Sequence, residues 1–215
     1  MIKESNTKII FLAIVQFLVG ALFCCAAFGL YIYSAQHTIA AETWIEVGQE
    51  TLLAASAVLF LICAPRFKEI EGGLWLIGGF FVTLLIRELD AWSDMLFHGC
   101  WKYMAAIWLC ALIAIVYKRN AGKSVVPGLV HFIRHRAWYV MLFGVVLLLV
   151  YSRLYGMKCL WELYAADQCA GWRNIKSFSE EAAELLAYML IFWASALYTF
   201  DLLRQKSKAL VGNKA

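Results

Sequence analysis

The chain has 215 residues, of which 63% are hydrophobic and 16% charged, where soluble domains average roughly 45–50% and about 25%. With a mean hydropathy of +0.72, this excludes a disordered chain, a basic nucleic-acid-binding domain and an ordinary soluble enzyme. Seven Cys in this length are too sparse for a small disulfide scaffold. A polytopic, all-α integral membrane protein remains.

A span needs about 20 mostly apolar residues. Six runs qualify, which predicts one six-helix domain built from three hairpins. They cover about 9–34, 46–64, 72–89, 101–117, 138–155 and 182–203. The first run outlasts the apolar region of a signal peptide, about 7–15 residues long, and reads as an uncleaved span. Pro65 and the charges after it break the second run from the third. Gly72-Gly73 and Gly78-Gly79 in the third run supply the small residues that let helices approach in a membrane.

On this topology, 13 of the 19 Lys and Arg fall on one side and 6 on the other. Basic loops stay cytoplasmic, so both termini and the 118–137 loop are expected inside. The 157–178 loop is expected outside. Short loops suggest a bacterial inner membrane as the location. The acids run the other way, with 4 inside and 11 outside. The insertion rule does not account for that bias, because acids contribute little to orientation.

Helical geometry, at 100° per residue, groups these outer acids. Glu42, Glu46, Gln49 and Glu50 share one arc at the start of the second span. Arg87, Asp90, Asp94 and His98 share another beyond the third span, with Glu88 beside them. Ser177, Glu181, Glu184, Tyr188 and Ser195 share a third on the sixth span. Charges at membrane depth persist when they face a bundle interior and find partners. The three arcs are therefore expected to meet in one outward polar cavity, with Arg87 as counter-ion. A competing explanation is that Asp and Glu favour helix starts. Ser177 and Ser179 before Glu180 and Glu181 resemble a capping box.

Glu46, Glu50, Asp94, His98, Glu181 and Glu184 form an oxygen-rich donor set with one nitrogen. Such a set suits a divalent metal ion better than a thiolate site would. Glu46–Leu61 and Glu181–Ser195 also resemble each other weakly, each placing spaced acids before a Leu-Leu pair. His131 and His135 lie among basic residues, which disfavours a cation and suits a surface segment touching anionic lipid heads.

Cys24, Cys25, Cys63 and Cys110 lie within spans and read as packing residues. Cys159 and Cys169 share the long outer loop, and an oxidising compartment would join them as a disulfide. Cys100 is then the odd thiol.

The leading expectation is a protein that binds or transports a cation or protons through the outer carboxylates. A metal-dependent intramembrane hydrolase acting on lipid is the second. A non-catalytic accessory, sensor or immunity-type protein is the third. The bilayer is the expected partner, with a second copy or another membrane protein beside it, and no nucleic acid.

Overall fold

The computed structural model describes residues 11, 14–15, 17–22, 24–26, 29, 33, 41–93, 95, 97–165 and 172–212. Among them there is no strand, and helices dominate. The described residues of the first apolar run are helical; the rest of that run, Asp94, Cys169 and the side chain of Glu42 lie outside the described residues.

The helices are α1 Ala41–Cys63, α2 Glu71–Glu88, α3 Cys100–Lys118, α4 Val125–Ile133, α5 Ala137–Tyr155, α6 Lys158–Ala165 and α7 Trp172–Gly212. Four stretches are long and apolar enough to cross a membrane: Trp44–Arg66, Cys100–Lys118, Ala137–Tyr155 and Ile175–Lys208. The chain is thus an all-α membrane protein with at least these four candidate spans. Helix α2 has 18 residues and carries charge at both ends, at Glu71, Arg87 and Glu88.

Helix α7 is the organising element. It packs against α1 and α5, α1 packs against α2, and α2 carries α3 and α4 on its other flank. Of the candidate spans α7 is the most buried and α3 the least. Helix α3 turns Tyr103, Ile107, Ile113 and Tyr117 outward. Such apolar exposure on a soluble protein would signal an interface; on a spanning helix it meets acyl chains. Lipid supplies no hydrophobic force between helices, so close packing must hold them together. Phe60, Phe132 and Tyr198 form the centre of that packing, with Phe132 and Tyr198 ring centroids 4.8 Å apart and Phe60 stacked on Tyr198 at 5.8 Å.

Several boundaries depart from the sequence reading. Helix α7 runs 41 residues, well past the expected 182–203. Its start at Trp172 places Glu181 and Glu184 in the third and fourth turns. Ser179 donates to the Ile175 carbonyl at 2.7 Å and Glu180 pairs with Lys176 at 3.0 Å. Both are mid-helix contacts, so no capping box forms there and the helix-start explanation does not account for these acids.

The 118–137 segment is not a plain loop, because it holds α4. Pro127 lies in the first turn of that helix, where Pro removes no helical hydrogen bond. Gly128 lets α4 lie directly on α2. A Cβ there would stand 2.5 Å from the Ile70 carbonyl oxygen and 2.8 Å from Gly73 Cα. Within α5, residues Leu147–Tyr151 form a π turn.

Candidate functional site

Helices α1, α2, α5 and α7 bring a polar cluster together at one end of the bundle. Gln49 is buried, and its amide donates to the Glu181 carbonyl at 3.1 Å and to the Glu181 carboxylate at 3.0 Å. This bond joins α1 to α7 and brings the arcs of both helices face to face. Glu46 and Glu88 lie within electrostatic range of both Glu50 and Glu181. Glu88 also acts on Glu184 and Tyr188.

Glu184 is the deepest carboxylate of the cluster, 5% exposed. Arg153 Nη2 stands 3.3 Å from its Oε1, close enough for attraction but without hydrogen-bond geometry. Glu184 Oε1 is buried with no hydrogen-bond partner among the described residues, and the buried Tyr188 hydroxyl lies near Glu88 without good hydrogen-bond geometry. Buried polar atoms ordinarily have partners, and leaving one unpaired costs about 1–3 kcal/mol, more for a charged group. The π turn inserts one residue into α5 and so rotates the residues after it by about 100°. Such turns often accompany functional sites; this one sits immediately before Ser152 and Arg153.

Arg87 reaches the cluster through Glu88 and Tyr188 rather than through Glu184. It stands 3.6 Å from its neighbour Glu88, and Arg153 takes the position beside Glu184. The expected arc from Arg87 to His98 does not exist as one helical face. Helix α2 ends at Glu88, a single turn comes next at Asp90–Ser93, and Gly99 adopts a left-handed conformation with φ of 81°. Asp90 and His98 are exposed on this broken segment, and the Ser93 hydroxyl is used locally on the Asp90 carbonyl.

Among the described residues, no three His, Cys, Asp or Glu side chains group so as to hold a metal ion. No disulfide is found there either: Cys159 is an exposed free thiol near the start of α6, so the expected link to Cys169 finds no support. Cys63 and Cys100 are buried, whereas Cys110 faces outward.

The opposite end of the bundle holds a second set of polar contacts that the sequence reading does not assign. Glu71 is 1% exposed. Its carboxylate accepts from Lys68 at 2.8 Å, from the Trp75 indole at 3.3 Å and from Arg119. The Lys68-to-Glu71 spacing, i to i+3, with Trp75 a further turn on, is its only sequence signal.

Asp201 accepts from Arg136 at 2.8 Å and faces His135 Nε2 at 3.3 Å. The Ala137 backbone N–H donates to His135 Nδ1, so the ring proton sits on Nε2, toward Asp201. Burial holds the His135 imidazole below its ordinary range; Asp201 pulls it up, while Arg136 and His131 push it down. His131 Nδ1 meets the Tyr198 hydroxyl at 2.9 Å. Both histidines are thus tied to α7, His131 while remaining exposed and His135 half-buried.

Comparison with protein families, curated proteins and solved structures finds no match, so the functional reading rests on the geometry.

Proposed function

We propose that this is a multi-pass membrane protein that binds a proton or small cation in an outward-facing carboxylate cluster, as a step in transport. The observation that supports the reading is Glu184, a deeply buried carboxylate whose Oε1 has no hydrogen-bond donor among the described residues. Glu88, Glu180 and Glu181 act on it directly, and Glu46 and Glu50 lie beyond, beside Glu181 and Glu88; Arg87, Arg153 and Lys176 oppose them. Among the described residues, six carboxylates against three cations leave an excess of negative charge, most confined at the buried Glu184 and the half-buried Glu181, while Glu46 is exposed. A bound proton or cation relieves it. Ionisable groups at such positions mark ion pathways and proton relays.

The outward assignment rests on the basic-residue count. Taken on six spans, that count puts both termini in the cytoplasm, and the short loops suit a bacterial inner membrane. Arg66, Lys68, Arg119, Arg134 and Arg136 then fall at the cytoplasmic end, opposite the acids. A carrier of this size suits a homodimer, with a second copy completing the pathway.

Reconstituted liposomes under an imposed pH or monovalent-cation gradient test the proposal. Wild-type protein is expected to dissipate the gradient, and the Glu181→Gln/Glu184→Gln variant to resemble empty liposomes. Equal flux from both proteins would end the proposal. Loss of folding in the variant, with no wild-type flux, would point to the accessory reading instead.

A further inference from the structure

At the basic end of the bundle, the turn before α2, helix α4 and the last turns of α7 enclose a groove. It consists of two adjoining cavities of about 440 and 470 Å3 that share Glu69, Ile70, His131 and Gln205. Its cationic groups are Arg66, Lys68, Arg134 and Lys206, with His131 and His135 beside them. Glu69 is the one acid in the lining, so the groove carries net positive charge.

The donors are partly committed but not exhausted. Lys206 gives one hydrogen to the Arg66 carbonyl at 2.8 Å and rests on the Phe67 ring at 5.2 Å, which fixes its position and leaves two hydrogens free. His131 uses Nδ1 toward Tyr198, so Nε2 is available. Arg134 is exposed, and its guanidinium makes no hydrogen bond or ion pair among the described residues. The floor beneath these groups is apolar: Phe67, Ile70, Pro127, Val130 and Leu202.

Helix α4 has a second cavity on its other face. It measures about 330 Å3 and is almost wholly apolar, with Phe80, Leu129, Ile133, Trp138 and Leu142 in its wall. One short helix therefore separates a cationic groove with an apolar floor from an acyl-compatible slot. Free phosphate would use only the cationic groups. A phospholipid would use the cations, the floor and the slot together. Basic pockets between helices at the cytoplasmic face are the usual seats of anionic lipid heads.

We infer that this groove binds a phosphate-bearing anion, with an anionic phospholipid headgroup as its source. The site lies at the opposite end from the carboxylate cluster and stands or falls independently of it. The test is calorimetric binding to the detergent-purified full chain. The probes are dihexanoylphosphatidylglycerol, dihexanoylphosphatidylcholine and inorganic phosphate.

Wild type is expected to bind the glycerol lipid more tightly than the choline lipid. Arg134→Gln/Lys206→Gln is expected to weaken that binding roughly thirty-fold for two cations removed. Arg204→Gln, an exposed change on the same helix outside the groove, is expected to bind as wild type does. Should Lys206→Gln lower the unfolding midpoint, Arg134→Gln alone carries the test, with a loss of roughly five-fold. Inorganic phosphate binding as tightly as the glycerol lipid, and lost in the same variants, would keep the phosphate site and assign it to free phosphate. Equal binding of the two lipids, or wild-type affinity in the double variant, would overturn the inference.

Discussion

The crossing of α4 over α2 offers a sharp test of the packing. Gly128→Ala places a methyl group 2.5 Å from the Ile70 carbonyl oxygen and 2.8 Å from Gly73 Cα. Both obstacles are backbone, so no side chain can swing aside. Restoring a contact of 3.4 Å to Ile70 requires the crossing to open by about 0.9 Å. Overpacking of this kind costs about 1–3 kcal/mol, and a backbone obstacle belongs at the upper end. Alanine returns about 1 kcal/mol through its helix propensity. The net expectation is a loss of about 2 kcal/mol. A methyl group added at Gly122 would meet nothing within 4 Å, so Gly122→Ala is the matched control, expected within about 0.5 kcal/mol of wild type. Reversible unfolding in detergent measures both. A Gly128→Ala protein as stable as Gly122→Ala would show that the two backbones do not meet as described.

Three further outcomes are expected from the same structure. Arg119→Met leaves the Glu71 carboxylate with the Trp75 indole and Lys68, which is mostly exposed, and is expected to cost about 2–3 kcal/mol, below the roughly 3–5 of a fully stranded buried charge. Adding Glu71→Gln should recover part of that loss in unfolding experiments; a double variant less stable than Arg119→Met would contradict the pairing. The depressed His135 imidazole makes the folded state refuse a proton that the unfolded chain accepts. Stability is therefore full above about pH 6.5 and falls as pH drops below it; His135→Gln should flatten that slope, and an unchanged slope would refute the assignment. Cys159 is exposed and free, so a membrane-impermeant maleimide should alkylate it without prior reduction, whereas a peptide linked to Cys169 would contradict this.

Periodicity makes some of this visible in the sequence and hides the rest. Gln49 and Glu181 can be placed on inward arcs because α1 and α7 are continuous helices, along which 100° per residue holds. The same rule fails from Arg87 to His98, where the backbone leaves the helix at Leu89 and turns through Gly99. Arg153 gives no warning, because its facing depends on a π turn that apolar residues at 147–151 do not announce. Tyr198 looks like one more aromatic in an apolar run; only α4 folding back on α2 brings His131 to its hydroxyl. Glu71 reads as a loop charge because its partner Arg119 is 48 residues away. Local pattern reports the face a residue takes on its own helix, and these contacts depend on which helix lies opposite.

The central claim is that the carboxylates around Glu184 share a site for a proton or cation. Protons and cations then compete there, and adding a cation to lightly buffered, detergent-purified protein displaces protons. A pH-indicator titration reads that release directly, with Glu181→Gln/Glu184→Gln as comparison. Wild type should release protons saturably as monovalent cation rises, and the variant should release far fewer. Identical release curves for the two folded proteins would contradict the account.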